Sequence, residues 1–396
     1  MDNNQNSGKL IITRLKNFVI SMILDDKGRA VQINAHDDSN ISNVGNIYTG
    51  RVDKIIPSLN AAFIEFIPGK MGYLRIKNGL KPASLRQGDY LTVQVQRDAI
   101  KEKLPALTCD ISIAGKMSVL TSYQKGLCFS GKLNDHDQIK LLKKEFPELN
   151  INDVGYIVRT NAFGKNNDQI FDEMRLLHDI WTDIRESMNR SRQISQIYKV
   201  PSPYIQDVRD AYDSGIGAII TDDTDIYYEL YEYLEKYCPR DIEKLAIHNP
   251  KGLSLHAAYN IKKQLSEALS GKIWLRSGGS VIIEPTQALT AIDVNTGKYI
   301  SGREPEKEYL KINQEAAAEI ARQIRLRNLS GIIIIDFINM ESVQNKKLLL
   351  DYLENQLKSD PIKTNIIEMT KLDLVELTRE KIHQPLYELL DISLLQ

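Results

Sequence analysis

The sequence predicts an α+β chain built from several modules, and three observations predict it. Its 396 residues exceed one ordinary core and suffice for two to four modules. The stretch from Gly45 to Gly115 is dense in short alternating runs separated by Pro, Gly and Asn, the pattern of a small β module. From Gly271 onward, strand-like and helix-like segments alternate, as in a sheet covered by helices. Hydrophobic residues make up 42% and charged residues 26%, so a core forms without staples. The net charge of -1 neither supports nor excludes a nucleic-acid partner, because a balanced total hides a local basic groove.

Taken in order, Lys9 to Val19 and Ala30 to Asn34 read as short strands around a turn at Asp25 to Gly28. His36 to Ser42 is polar and reads as a linker. Ile47 to Ile56, Ala61 to Phe66, Gly72 to Ile76, Leu91 to Arg97 and Ala106 to Ile113 are five candidate strands, the number in a closed barrel of the OB type. Helices are predicted over Leu133 to Phe146, Asn167 to Tyr198, Asp225 to Cys238 and Leu255 to Ser270, with strands at Val154 to Thr160 and Gly217 to Ile220. Lys272 to Arg276, Ser280 to Glu284 and Gln287 to Asp293 read as strands. A helix over Pro305 to Asn328 follows, its proline well placed in the first turn and its buried stripe at Leu310, Ala317, Ile320 and Ile324. Gly331 to Asp336 reads as a strand buried on both faces, Asn345 to Lys358 as a helix, Lys363 to Thr370 as a strand, and Asp373 to Leu390 as a helix broken at Pro385.

Cys109, Cys128 and Cys238 are far apart and form no C-x-x-C pair, which implies reduced thiols, a reducing compartment and a cytoplasmic protein. Met1 to Ser7 is polar, and no run approaches the ~18 apolar residues of a membrane span.

Two apolar strands end in an aspartate, Asp293 and Asp336. Side by side, they bring two carboxylates together at a sheet rim, where like charges repel unless a cation intervenes. Magnesium takes one or two carboxylates, keeps several waters and binds phosphate. Asn295 lies two residues beyond Asp293, and Thr296-Gly297 allows a sharp turn. On spacing alone, strand-ending aspartates are more often caps of loops or helices.

The run "WLRSGGSVIIEPTQALTAIDVNTGKY", Trp274 to Tyr299, resembles the catalytic signature of the ribonuclease E/G family, as does "NQEAAAEIARQIRLRNLSGIIIIDFINM", Asn313 to Met340. "GNIYTGRVDKIIPSLNAAFIEF" is similar to the family's S1-type RNA-binding domain, and "GYIVRT", Gly155 to Thr160, to the segment that senses an RNA 5′ end. The blocks follow in register from Gly45 to Pro385. The resemblance implies a split RNase H-like subdomain over residues 1–40 and 196–270. An S1-type OB barrel over 41–116 and a 5′-sensor region over 117–195 are inserted in it. A DNase I-like catalytic subdomain follows over 271–396.

The resemblance further implies a magnesium-dependent endoribonuclease, with manganese as a substitute ion. It would cut single-stranded RNA during rRNA-precursor processing or mRNA decay and leave 5′-monophosphate and 3′-hydroxyl ends. Asp293 and Asp336 would hold the metal and Asn295 would support them. Phe63, Tyr73, Lys103 and Arg379 would contact RNA, and Arg159 with Thr160 would grip a 5′-monophosphate. By pattern alone, Phe63 reads as a barrel-core residue. Arg322, Arg325 and Arg327 are further phosphate candidates, though a solvated helix face explains Arg322 and Arg325 as well.

This chain departs from the family pattern at Gly131, where a basic residue is usual, and at Gln287 and Asn339, where acids are usual. Gln287 is expected to remove a charge near the metal. The family's C-P-x-C zinc-link is not in the sequence, so no structural zinc is expected, and a homodimer through the DNase I-like face is left open. The competing expectation is a non-catalytic single-stranded RNA-binding protein with a degenerate nuclease site.

Overall fold

The computed structural model describes residues 8–39, 42–76, 85–99, 103–131, 136–149, 153–190, 192–211, 215–249, 252–297 and 305–395. Leu133 and the Lys298-Tyr299 end of the catalytic signature lie outside the described residues. The chain divides into two compact units, residues 1–39 with 212–396, and residues 40–211.

The first unit begins with β1 (Gly8–Leu15), β2 (Phe18–Leu24) and β3 (Ala30–Asp37). The expected continuous strand to Val19 is instead a hairpin. Lys16 takes a left-handed φ of 54° and turns the chain, so that Leu15 pairs with Phe18.

The second unit contains the barrel. Its strands are β4 (Ile47–Ile56), β5 (Ala61–Ile67), β6 (Lys70–Arg75), β7 (Tyr90–Arg97) and β8 (Ala106–Thr108). They pair in the order β4-β5-β6-β8-β7, and a β4–β7 pairing closes the ring. Closure removes the sheet edges. Alternation along β5 sends Ala62, Ile64 and Phe66 inward, where they meet Tyr48, Val52, Leu74, Val93, Val95 and Leu107. The run to Ile113 does not stay in the barrel. It breaks after Thr108, and β9 (Ser112–Ala114) joins β10 (Ser118–Thr121), β11 (Gly126–Phe129) and β12 (Gly155–Val158) in a second sheet. Next to that sheet lie α1 (His136–Glu145) and α2 (Asn167–Arg190), which contributes Ile170, Met174, Leu177, Trp181 and Ile184 to the core. The helix expected to reach Tyr198 stops at Arg190. β13 (Ser195–Tyr198) pairs with β4, where ladder hydrogen bonds replace helical ones. α3 (Pro203–Asp210) completes the unit.

The chain returns to the first unit with β14 (Ile216–Thr221), which runs parallel to β1, then α4 (Thr224–Tyr237) and β15 (Leu245–Ile247). The sheet order is β15-β14-β1-β2-β3, so the first strands complete their sheet with residues some two hundred positions on. The Asp223 side chain caps α4 by accepting from the Asp225 and Ile226 amides. The expected single helix from Leu255 is two, α5 (Leu255–Ala258) and α6 (Ile261–Leu269), separated where Asn260 takes a φ of 50°.

The last sheet has the order β16-β17-β18-β19-β21-β20, from β16 (Lys272–Trp274), β17 (Ser280–Pro285), β18 (Leu289–Asn295), β19 (Gly331–Asp336), β20 (Thr364–Met369) and β21 (Leu374–Arg379). α7 (Pro305–Leu326) and α8 (Val343–Leu357) pack on one face. Their contact residues include Ala317, Ile320 and Ile324, as expected, but Ile312 and Ala316 are buried more deeply than Leu310. Helix α7 ends in a Schellman motif, with Asn328 left-handed and the Leu329 amide donating to the Ile324 carbonyl.

Three expectations for this region are corrected. β19 is buried on one face only, and Ile332 is 50% exposed, because among the described residues the packed helices lie on the opposite face. Asp373 to Leu390 is not a helix. Leu374 to Arg379 alternates with period two, burying Val375, Leu377 and Arg379, and only α9 (Leu386–Leu389) is helical. Arg379, expected at RNA, lies in the core beneath the sheet. Its Nε and Nη2 donate to the two carboxylate oxygens of Asp360 at 2.7 and 3.2 Å, and its Nη1 donates to the Leu329 carbonyl at 3.0 Å. Side-chain exposures of 3% and 1% leave the pair no face for a phosphate. Arg379→Ala would strand the Asp360 charge in the core. A loss of about 3–5 kcal/mol in stability by urea denaturation is expected, whereas a loss of RNA affinity with unchanged stability would restore the RNA-contact role.

Candidate functional site

β18 and β19 are parallel neighbours, and Asp293 stands directly opposite Asp336 in the register. Along β18, Thr290, Ile292 and Val294 are buried under the helices, while Asp293 and Asn295 are exposed on the other face. Along β19, Ile333 and Ile335 are buried and Asp336 is exposed. The two carboxylates therefore share the open face of the sheet, at the carboxyl ends of adjacent strands. Asn295 Nδ2 donates to Asp293 Oδ2 at 2.6 Å. That bond orients the carboxylate and leaves Oδ1 free of it.

The pair is electrostatically strained. Partial burial, and then the nearby Asp293 charge, push the Asp336 carboxyl above the usual carboxylate range. Among the described residues no third His, Cys, Asp or Glu joins them. Two carboxylates and an amide offer an all-oxygen donor set on an open face, a set of the kind a hard, hydrated divalent ion takes.

The loops beyond the two aspartates are fixed by Gly297, at the sharp turn the sequence marks, and by Asn313 and Glu315, which pattern reading passed over. Gly297 takes a φ of 69°, and a Cβ there would meet the Gly278 carbonyl oxygen at 2.3 Å, so the turn after Asn295 requires glycine. Asn313 is fully buried; its Nδ2 donates to the Ile338 carbonyl and its Oδ1 accepts from the Ile338 amide, which holds the chain just past Asp336. The Glu315 carboxylate accepts from the Arg276 and Ser277 amides and fixes the β16–β17 turn. One signal was available for Asn313, a polar residue spaced four and seven positions before the apolar Ala317 and Ile320 of the stripe.

Gln287 is not near the site. It lies in the β17–β18 hairpin turn closed by the Thr286 amide on the Leu289 carbonyl. Six residues of strand separate it from Asp293, about 20 Å at the rise of an extended chain. Asn339 is exposed, three residues beyond Asp336. Arg322, Arg325 and Arg327 are engaged within the fold. Arg322 pairs with Glu319, Arg325 donates to Ser359, and Arg327 donates to Gln323.

In the second unit, Phe63 and Tyr73 are cross-strand partners on the outside of the barrel. Their ring centroids lie 6.2 Å apart at 67°, and both rings are half-buried. The barrel's inward aromatics are Tyr48 and Phe66 instead. Lys103 is exposed, and the Tyr73 amide donates to Pro105, which brings the segment after Lys103 beside Tyr73. Arg159 and Thr160 follow β12, where Thr160 opens a short 3-10 turn (Thr160–Ala162) that Arg159 precedes. Arg159 Nη1 donates to the Gly115 carbonyl and to Asp210 Oδ1, each at 2.7 Å. Burial would raise the Asp210 carboxyl, but Arg209 and Arg159 outweigh burial and hold it below the usual range. Glu173 steadies the same corner by accepting from the Lys116, Met117 and Ser118 amides.

The model of the ribonuclease E/G family matches residues 112–382. Ribonuclease G of Salmonella typhimurium is 31% identical over 374 residues, 90% of this chain and 76% of the relative. Ribonuclease G of Escherichia coli is 30% identical over 383 residues, 92% of this chain and 78% of the relative. Ribonuclease E of Synechocystis is 33% identical over 363 residues, 87% of this chain and 53% of the longer relative. The matched span holds both strands that carry Asp293 and Asp336, together with α7 between them, and the chain belongs to the ribonuclease E/G family.

Proposed function

We propose that this chain is a divalent-metal-dependent endoribonuclease that cuts single-stranded RNA and leaves 5′-monophosphate and 3′-hydroxyl ends. The observation that carries the reading is the in-register apposition of Asp293 and Asp336 on an open sheet face. Magnesium, with manganese as a substitute, supplies when bound a water of lowered pKa and charge neutralisation at the phosphate. The chain's own residues do the rest. Asp293 and Asp336 hold the ion, Asn295 fixes the orientation of Asp293, and Asn313 keeps the loop after Asp336 in place. A cut through water needs no attack by the 2′-hydroxyl, so the RNA preference rests on binding.

That binding is assigned to the barrel. Phe63 and Tyr73 offer ring faces to unstacked bases, which favours single strands over duplexes. Lys103 supplies a cation for the backbone. Arg159 and Thr160 are proposed to read a terminal 5′-phosphate, a guanidinium and a hydroxyl suited to that group. Processing of rRNA precursors and decay of mRNA are the settings proposed for the activity, in the cytoplasm.

A short fluorescent RNA incubated with magnesium tests the reading. Cleavage should vanish in EDTA and in Asp293→Asn, and Asn295→Ala should cost roughly 10- to 100-fold as an orienting residue. Binding without cleavage by the native chain would leave only a passive RNA holder.

The carboxylate pair also sets a stability signature. The raised Asp336 group adds stability below the ordinary carboxylate pKa and loses it as pH rises through its own. At neutral pH without divalent ions the ionised pair is therefore a cost. Asp336→Asn should melt no lower than the native chain in EDTA, and magnesium should raise the melting temperature of the native chain alone. A variant that melts several degrees lower in EDTA would show that the carboxylate is structural.

For the barrel, Phe63→Ala and Tyr73→Ala should each weaken single-stranded RNA binding by ~1–3 kcal/mol in fluorescence anisotropy. Lys103→Ala should lower the salt slope by about one. Unchanged affinity in both aromatic variants would move the RNA surface elsewhere.

A further inference from the structure

Trp274 is one of two tryptophans in the chain and is 67% exposed, whereas Trp181 is 8% exposed in the core of the second unit. A large ring left that open adds little to the core under α7 and α8. Its position on the sheet is specific. Trp274 pairs with Ser280, and Ser280 pairs with Asn295; Lys272 pairs with Ile282, and Ile282 pairs with Asp293. Directly paired residues point to the same side of a sheet, so Trp274 and Lys272 share the open face with Asp293, Asn295 and Asp336. Ile273, between them, turns to the opposite side and packs on the core. Two strand spacings, about 10 Å, separate β16 from β18.

The ring is also held in place. Lys272 Nζ lies 4.2 Å from the Trp274 ring centroid, over its face. The turn that follows Trp274 is fixed by Glu315 through the Arg276 and Ser277 amides, and Gly278 packs against Gly297 beyond Asn295. An exposed aromatic face joined to a cation is the combination that receives a base together with its backbone phosphate.

We propose that Trp274, with Lys272, is a base-stacking platform for a nucleotide flanking the scissile linkage, a subsite separate from the barrel. The inference rests on the nuclease reading of Asp293 and Asp336. Stacking there tolerates any base and requires it to be unpaired, so the platform adds to the selection of single strands next to the cut itself.

The test uses the full chain, a short single-stranded RNA and magnesium. Trp274→Ala should raise KM about 5- to 150-fold, the range for loss of one stacked base, and Trp274→Phe should recover most of that loss. An abasic nucleotide at the flanking position should raise KM for the native chain and add nothing in Trp274→Ala. In Asp293→Asn, which binds without cutting, the RNA should quench tryptophan fluorescence, and adding Trp274→Phe should abolish the quench. A KM within twofold of native in Trp274→Ala, with no quench, overturns the platform while leaving the nuclease reading intact. Quenching with no cleavage by the native chain sinks the nuclease reading and keeps the stacking. A fall in solution mass for Trp274→Ala with unchanged KM would make the ring a protein contact, and would also overturn the proposal.

Discussion

The parallel pairing of β18 with β19 in one particular register is the constraint on which the site depends. Thr290, Ile292 and Val294 on one strand, and Ile333 and Ile335 on the other, are buried under α7 and α8. A slip of one residue would turn Ile335 to solvent and drive Asp336 under the helices, where an unpaired carboxylate costs several kcal/mol. The apolar core therefore selects the register, and the register sets Asp293 against Asp336. The repulsion between them is imposed by packing. Its trace is the Asp336 carboxyl, which burial and the Asp293 charge make reluctant to ionise.

Helix α7 transmits that order to the loops. Its apolar side fills the core with Ala316, Ala317, Ile320 and Ile324, and two of its polar residues reach past the sheet ends. Asn313 satisfies both the amide and the carbonyl of Ile338, and Glu315 satisfies the Arg276 and Ser277 amides. A buried polar side chain with its partners present specifies one arrangement, since any other leaves it unsatisfied at a cost of roughly 1–3 kcal/mol. The turn before β17 and the loop after β19 flank the carboxylates, and both are tied to the same helix.

The barrel strands were legible because they depend on local alternation, and the two aspartates because each closes an apolar strand within a run that resembles the family signature. Ala62, Ile64 and Phe66 alternate with outward Phe63 and Glu65 whatever else the chain does. The errors came where tertiary partners decide. Ser195 to Tyr198 continues a polar-apolar helical pattern but is captured by β4. Leu374 to Arg379 carries helix-tolerant residues, yet Val375, Leu377 and Arg379 alternate into the core once β19 is available to pair with them. Arg379 was expected at RNA by resemblance, and its burial was hidden because its partner, Asp360, is 19 residues away and only the fold joins them. Gln287 was expected near the metal because the family usually carries an acid at that position, but six residues along an extended strand is a long way. The open face of the last sheet was hidden for a related reason. A run of four isoleucines signals burial on both sides, and only the placement of α7 and α8 on one face, among the described residues, shows the exposure of the other.

That exposed face explains a division of labour on the proposed reading. Two carboxylates on an exposed sheet face repel a polyanion. The residues that hold the ion therefore weaken the ground-state attraction for RNA, and the chain's net charge of -1 supplies no general attraction to offset this. Affinity has to come from contacts that the acidic pair does not oppose. Aromatic faces meet that condition, because stacking is nearly indifferent to the net charge around it and requires only that the base be unpaired. Phe63 and Tyr73 on the barrel and Trp274 beside the carboxylates are outward rings, whereas Tyr48, Phe66, Tyr156 and Trp181 are buried in the cores. Selection for single strands then follows from how the chain holds its substrate, and the acidic pair is left to act on whichever linkage is presented to it.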